Sequence, residues 1–266
     1  MTHSILLSFD VEEFDSPHDA GQRLSLDDQV AVTAQGLESL MPRLNEVGCS
    51  ATFFTTAQYA EKDTERMRVI AQRHEIASHG YFHARFEDAH LASSRDVLQR
   101  LTGHPILGFR RARLQHTDHD AITAAGYLYN SSENPIWLPG RYNNLRRPRG
   151  AYRSGELINI PISASPRLRI PLFWLAFKNF PETILRRAAA RALRKDRYLN
   201  LFFHPWEFTD LHPWRLPWYV KRHGGEAMLD RLSRFLEWLA PQGTFQTMGN
   251  FAQAHEDFPV WPGHGR

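Results

Sequence analysis

The chain has 266 residues, of which 42% are hydrophobic and 23% are charged, and these values are ordinary for a globular protein with a sizeable core. Its net charge of +3 is too weak to indicate a nucleic-acid partner, and the single cysteine, Cys49, excludes an internal disulfide and a cysteine-rich metal site. No apolar run reaches the roughly 18 residues of a membrane span, and the start of the chain lacks the features of a signal peptide. We therefore expect a cytoplasmic protein.

Predicted strands and helices alternate along the chain. The strands are predicted at residues 5–9, 51–57, 76–77, 106–109, 127–129, 157–162, 198–203 and 244–247. The helices are predicted from a cap at Asp27 or Asp28 to residue 47, and at residues 58–73, 91–102, 118–125, 181–195 and 228–239. This alternation predicts one α/β domain spanning residues 1–266, folded as a distorted TIM-like (β/α) barrel with about seven parallel strands.

Two stretches interrupt this pattern. Residues 133–155 are rich in proline, glycine and arginine, and are predicted to form a long irregular loop of a kind that often binds ligands. Its arginines include Arg141, Arg146, Arg147 and Arg149. Residues 171–195 join an apolar segment to a strongly basic one. This second stretch either contacts an anionic membrane surface or forms an outer barrel helix with a solvated basic face.

Residues able to do chemistry stand at the ends of predicted strands, and in parallel architectures these ends meet at one site. Asp10 and Glu12 are two apart at the end of the first strand, so their side chains share one side and Val11 points away. His79 and His83 are four apart and can reach one ion if the chain coils after His79. With a carboxylate as third ligand, these spacings predict a metal-dependent hydrolase site. The plainer alternative is a pair of solvated acids and a chance pair among fourteen histidines.

The order of these motifs resembles the polysaccharide deacetylase family, carbohydrate esterase family 4, over roughly residues 4–250. The first family motif is similar to Ser-Phe-Asp-Val at residues 8–11, which implies that Asp10 is the catalytic base. Val11 stands where the family has a metal-binding aspartate, and Glu12 resembles the shifted carboxylate of some family branches. The second motif is similar to residues 79–83. The resemblance thus implies three metal ligands, Glu12, His79 and His83.

The remaining family motifs are matched in part. Arg110 is retained from the third motif, where it holds the catalytic aspartate, and Arg113 would supply the backbone N–H that binds the oxyanion. Asn130 stands where the family has an aspartate that tunes the acid histidine, and His204 ends a match to the fifth motif. The sequence Pro-Trp-Glu that follows, with Trp206, resembles deacetylases of bacterial exopolysaccharide clusters.

The resemblance implies a hydrolase that removes an N-acetyl group from an amino sugar in a polysaccharide, an oligosaccharide or a lipid-linked glycan. Zinc suits a site of two imidazoles and a carboxylate, and cobalt and nickel are the alternative metals. Asp10 would be the general base, positioned by Arg110, and His204 would protonate the departing amine. We expect substrate contacts at Arg113, Asn130 and Trp206.

Two other functions stay open. The first is hydrolysis of another amide, such as a formyl-amino sugar or a cyclic amide like allantoin. The second is a pseudoenzyme that binds carbohydrate without turnover. The departures at Val11, at Ala112, where the third family motif has a proline, and at Asn130 favour this alternative. If residues 171–195 contact a membrane, a lipid-linked sugar is the natural substrate. No oligomeric state follows from the sequence.

Overall fold

The computed structural model describes residues 3–138, 142–255 and 257–261. Its strands are β1 Ser4–Val11, β2 Thr52–Thr55, β3 Glu75–Ser78, β4 Gly108–Phe109, β5 Tyr129–Asn130, β6 Trp137–Leu138, β7 Tyr142–Asn143, β8 Tyr152–Ser154, β9 Leu157–Asn159, β10 Tyr198–Phe203 and β11 Thr244–Phe245. Its helices are α1 Leu26–Val47, α2 Ala57–Lys62, α3 Thr64–Ala71, α4 Ala89–Thr102, α5 His119–Ala124, α6 Trp174–Asn179, α7 Glu182–Asp196, α8 Trp218–Lys221, α9 Glu226–Leu239 and α10 Met248–Ala254.

The main sheet has the strand order β10-β1-β2-β3-β4-β5-β9-β8, and β11 also pairs with β1. The seven strands from β10 to β9 are mutually parallel, and β8 runs antiparallel to β9. The segment after β9 reaches back to β10, where the Ser163 N–H donates to the Asn200 backbone oxygen at 3.0 Å. The sheet therefore curls into an open barrel, which confirms the predicted (β/α) barrel fold.

β1 is buried along its whole length, and its alternate residues belong to different parts of the core. Val11 packs in the largest apolar cluster, which also contains Leu37 of α1. Leu6 packs with Phe54 in a smaller cluster. Because side chains alternate along a strand, Asp10 shares the side of Leu6 and faces the inside of the barrel.

The boundaries of α1 follow from local sequence. The Ser25 side chain caps the helix by accepting from the Asp28 N–H at 3.1 Å. The predicted cap at Asp27 or Asp28 is therefore wrong, and both acids lie in the first turn, where they complement the positive end of the helix dipole. Gly48 ends the helix as predicted, with a left-handed φ of 67°.

Elsewhere the described residues differ from the predicted elements in several places, and the short helices α6 and α8 have no predicted counterpart. The predicted helix 58–73 is two helices, α2 and α3, because the backbone leaves the helical region at Asp63. The predicted loop 133–155 contains the β6–β7 hairpin and β8, while its residues 139–141, with Arg141, lie outside the described residues. The chain after β11 forms α10, which has no counterpart among the predicted elements.

The stretch 171–195 contains α6 and most of α7. Its apolar side chains Leu172 and Phe177 are fully buried, whereas Phe180 and Ile184 are 40% and 37% exposed. Among the described residues, no helix combines the length and the apolar character needed to cross a lipid bilayer.

Candidate active site

Asp10 is held near the end of β1 by Arg110, which follows β4. Arg110 Nη1 lies 2.6 Å from Asp10 Oδ1, and both side chains are almost wholly buried. The guanidinium also donates to Ser8 Oγ at 2.9 Å and to the Ser131 backbone oxygen at 3.1 Å, and it lies 4.0 Å from the centre of the Phe54 ring. With these partners, Arg110 fixes the orientation of the Asp10 carboxylate.

The ligand atoms of Glu12, His79 and His83 converge within 4.8 Å of one another. Nε2 of each histidine lies 3.1 Å from the same carboxylate oxygen, Glu12 Oε2. The chain does not form a helix after His79; a turn at Gly80, with φ of 88°, brings His83 to the site instead. Two imidazole nitrogens and a carboxylate oxygen directed at one point fit a divalent metal of the zinc type.

Further polar groups contact this metal-ligand set. Asp15 Oδ2 lies 2.8 Å from His83 Nδ1, the ring nitrogen that does not face Glu12. Trp206 Nε1 donates to Glu12 Oε1 at 3.3 Å, and Thr33 Oγ1 donates to the Glu12 backbone oxygen at 2.7 Å. Such partners orient the ligands of a metal site. Trp206 is 2% exposed and also lines the cavity that contains Asp10 and His204, so its predicted contact with substrate stays a prediction.

The charged states of Glu12, His83 and His204 depend on one another. Burial alone would raise the pKa of Glu12, but His83 and His204 hold the pKa of that carboxyl well below its usual value. Burial alone would lower the pKa of the His83 imidazole, but Glu12 and Asp15 raise it to about 9. The site therefore pairs a carboxylate with an imidazolium. A metal bound to His83 would displace the proton from the ring nitrogen that it contacts, because a histidine ligand is neutral.

His204 follows β10, and its two ring nitrogens face different groups. Nε2 lies 4.0 Å from Asp10 Oδ2 and 3.9 Å from Glu12 Oε1, whereas Nδ1 lies 2.9 Å from Glu207 Oε1. The ring stacks on Trp206 with 4.8 Å between centroids. Burial would lower the pKa of His204, but the carboxylates of Glu12, Glu207 and Asp10 raise it. The geometry suits delivery of a proton from Nε2 into the space beside Asp10.

Asn130 forms its side-chain hydrogen bonds with residues other than His204, the partner expected from the sequence. Its amide N–H donates to Asn159 Oδ1 at 2.9 Å, and its side-chain oxygen accepts from the Ser132 N–H at 3.1 Å and from Ser132 Oγ at 2.6 Å. The expectation that Asn130 takes the place of the family aspartate beside His204 is therefore corrected. The carboxylate at that imidazole is Glu207, in the 3-10 turn Pro205–Phe208. Its signal in the sequence is an acid three residues after a helix cap.

Two cavities lie side by side and share Arg113 and Leu114 in their walls. The first, of about 350 Å³, contains Asp10 and His204 and has an aromatic wall. The second, of about 430 Å³, is mainly polar. Its lining includes Gln115, Ser132, Glu133, Asn134, Asn144 and Arg147. Both volumes fall in the range of small-molecule sites. The backbone of Arg113 is left-handed, with φ of 57°, and its side chain lies 3.3 Å from Asp19.

Residues 18–128 match the model of the polysaccharide deacetylase family, and no curated protein matches the chain. Among solved structures, the chain is similar to a protein from Mycobacterium smegmatis that is assigned as a polysaccharide deacetylase. That likeness has a TM-score of 0.68 and 18% identity, and it covers 100% of this chain and 95% of the other. The predicted likeness to the branch from exopolysaccharide clusters stays a prediction.

Two further structures have the same fold. Puue allantoinase matches with a TM-score of 0.64 and 18% identity, over 95% of this chain and 90% of its own. A protein from Pseudomonas aeruginosa PAO1, also assigned as a polysaccharide deacetylase, matches with a TM-score of 0.62 and 17% identity. This match likewise covers 95% of this chain and 90% of the other. The family match over residues 18–128 and the shared fold confirm the predicted resemblance to the polysaccharide deacetylases, carbohydrate esterase family 4.

Proposed function

We propose that the protein is a metal-dependent hydrolase that removes an N-acetyl group from an amino sugar in a polysaccharide, an oligosaccharide or a lipid-linked glycan. The observation that carries this proposal is that Asp10 and His204 face one cavity beside the convergent ligand atoms of Glu12 and His83. A carboxylate base and an imidazole acid next to a metal position are the groups that amide hydrolysis needs. The match to the family over residues 18–128 supports the same chemistry.

The metal would be held by Glu12, His79 and His83. Zinc suits this donor set, and cobalt and nickel are the alternatives. When bound, such a metal supplies Lewis acidity toward water and the acyl carbonyl. Asp15, on the far nitrogen of His83, would orient that ligand.

The chain's own residues would move the protons. Asp10, fixed by Arg110, accepts the proton of the attacking water. The backbone N–H of Arg113 would stabilise the negative charge that develops on the carbonyl oxygen. His204 then donates a proton to the departing amine, without which the tetrahedral intermediate reverts to the amide. The products are acetate and a free amino sugar.

The second cavity supports a substrate larger than one sugar. It lies beside the cavity of Asp10 and His204, and its amide and hydroxyl side chains match the hydroxyl groups of a neighbouring sugar unit. A small cyclic amide would leave this polar cavity without a role. We therefore favour oligomeric or polymeric substrates over allantoin-like ones.

A lipid-linked sugar is a second form of the same substrate class. Phe180 and Ile184 are exposed next to the basic face of α7, where Arg187 and Arg191 are also exposed. An anionic membrane surface would attract such a face. Co-sedimentation with vesicles that contain anionic lipid, against neutral vesicles, tests this contact, and equal recovery from both would remove the support for it.

Acetate release is the experiment that tests the proposed function. Purified protein is assayed on oligomeric, nucleotide-linked and lipid-linked N-acetyl sugars, with and without added zinc, cobalt or nickel. Metal-dependent acetate release supports the proposal. Formate from a formyl-amino sugar, or ring opening of allantoin, would assign another amide. Absence of both stoichiometric metal and turnover would favour the binding-only alternative.

A further inference from the structure

A carboxylate and an ammonium group, both fully buried, lie on the Nδ1 side of His204. Glu207 Oε1 accepts from the His204 backbone N–H at 2.7 Å and lies 2.9 Å from His204 Nδ1. Its other oxygen, Oε2, lies 3.9 Å from Nζ of Lys178 in α6, and both side chains are 0% exposed. Lys178 Nζ donates in turn to the Arg222 backbone oxygen at 3.4 Å.

Such a pair is costly as a purely structural device. Desolvation of two charges offsets most of their attraction, and well-packed apolar residues of similar size often stabilise a core as well or better. Burial lowers the pKa of Lys178, and Glu207 counteracts that shift only in part. The position of the pair directly behind an imidazole suggests a role in the chemistry of the site.

The geometry shows what the pair does for the imidazole. An anionic oxygen at Nδ1 keeps a proton on that nitrogen and directs Nε2 toward Asp10 and Glu12, at 4.0 Å and 3.9 Å. The side chain of Asn130 is hydrogen-bonded to Asn159 and Ser132, whereas the carboxylate at Nδ1 of His204 is that of Glu207.

We propose that Glu207 is the positioning residue of His204, and that Lys178 holds the Glu207 carboxylate in the orientation that this role requires. The inference rests on the proposed function, in which His204 protonates the departing amine. It assigns to Glu207 and Lys178 a role that the sequence resemblance gave to position 130.

The test compares two substrates that differ in their need for an acid. An N-acetyl amino sugar releases an amine that must be protonated, whereas 4-nitrophenyl acetate releases a stable phenolate that needs no proton. Glu207→Gln and Lys178→Met should lower kcat on the amide roughly 10-fold to 100-fold, less than the 10²–10⁴-fold effect of removing a general acid. KM, bound metal and hydrolysis of the ester should stay near wild type.

The double variant Lys178→Met/Glu207→Gln separates positioning from structure. Each single variant leaves one buried charge without its partner, so the melting temperature should fall, and the neutral double variant should recover it. We expect the amide defect to persist in the double variant. Recovery of amide hydrolysis together with the melting temperature, or equal losses on amide and ester, would overturn the proposal.

Asp196→Asn is the matched control. Its partner is Arg149, at 2.6 Å, and neither residue lines either cavity. This variant should lose stability without changing the ratio of amide to ester hydrolysis.

A readout without turnover separates this inference from the proposed function. In the zinc-loaded protein, nitrogen-15 NMR should show a proton on His204 Nδ1, shifted downfield, and Glu207→Gln should remove that shift. An unprotonated Nδ1 in the wild type overturns the inference. A wild type that shows the expected Nδ1 resonance and hydrolyses neither substrate would contradict the proposed function alone.

Discussion

A shift of one residue along the chain at the end of β1 decides which side chain faces His79 and His83. Val11 is buried in the helix-side core, whereas Glu12 lies on the side of Asp10 with Oε2 3.1 Å from both histidines. Strand alternation is sufficient to explain this difference. Glu12 thus supplies the carboxylate that Val11 lacks.

Substitution of neighbouring acids tests this assignment. Glu12→Gln should lose stoichiometric zinc and remain folded, because an amide oxygen is a neutral and weaker ligand. Glu13→Gln is the matched control, since Glu13 is equally buried but accepts from Thr56 Oγ1 at 3.0 Å. Elemental analysis of the purified variants gives the answer. Zinc retained by Glu12→Gln and lost from Glu13→Gln would move the third ligand by one residue.

The raised pKa of His83 predicts how the stability of the metal-free protein depends on pH. The folded-state pKa is about 9, above the ordinary 6.5, so protonated His83 contributes its full stability below about pH 6.5. That contribution should disappear as pH rises through about 9. His204, whose pKa is also raised, acts in the same direction.

Urea unfolding of the metal-free protein across this range measures the effect. We expect the free energy of unfolding to fall between about pH 6.5 and about pH 9, and His83→Gln to flatten the decline. A free energy that rises over the same interval in the wild type would contradict the assigned charges.

At the scale of elements, the site depends on a close approach between α1 and the turn that follows His204. A Cβ atom placed on Gly36 would lie 1.9 Å from the Pro205 backbone oxygen. No side chain can relieve such an overlap, so one of the two elements would have to move. The glycine therefore sets the distance between α1 and the turn that contains Trp206 and Glu207.

Gly36→Ala should accordingly destabilise the protein by about 1–3 kcal/mol or more, and should reduce hydrolysis per folded molecule. Gly150→Ala is the control, because a Cβ there meets nothing within 4 Å. Urea unfolding and acetate release are measured on both. Equal stability of the two variants would mean that the contact is looser than the structure shows.

The polar cavity makes a prediction about substrate length. If it binds a neighbouring sugar, kcat/KM should rise from the N-acetyl monosaccharide to the disaccharide and trisaccharide. Asn144→Ala should cost about 1 kcal/mol, roughly fivefold in kcat/KM, on the oligomers and nothing on the monosaccharide. Asn45→Ala, at an exposed position in α1, should leave kcat/KM unchanged on the monosaccharide and on the oligomers. A loss on the monosaccharide as large as on the oligomers would exclude a separate sugar subsite.

The elements that could be predicted from the sequence are those with strong local signals. β1 and β10 are mainly apolar and wholly buried, and α9 carries an apolar face along its whole length. The break at Asp63 was missed because its carboxylate accepts from Tyr59 and from Arg66 Nε, local bonds that compete with a continuous helix. α10 was missed because a cap at Thr247 looks like the end of a strand.

At the scale of the whole molecule, the site residues that could be predicted are those at the ends of strands. Strand ends and motif spacing predict that Asp10, His79 and His204 lie close together, since the last residues of parallel strands meet at one edge of the sheet. Lys178 could not be found in this way. Its contact with Glu207 depends on how α6 packs against the turn after β10, and no spacing rule links two such elements.

Acetate release by the zinc-loaded protein and two variants is the most direct measurement of the central claim. Asp10→Asn and His204→Ala should keep the metal and the fold, and each should lose roughly 10²–10⁴-fold in turnover of an N-acetylated oligosaccharide. The wild type should lose activity when the metal is chelated and regain it when zinc returns. Wild-type turnover in either variant, or acetate release that survives complete metal removal, would contradict the account.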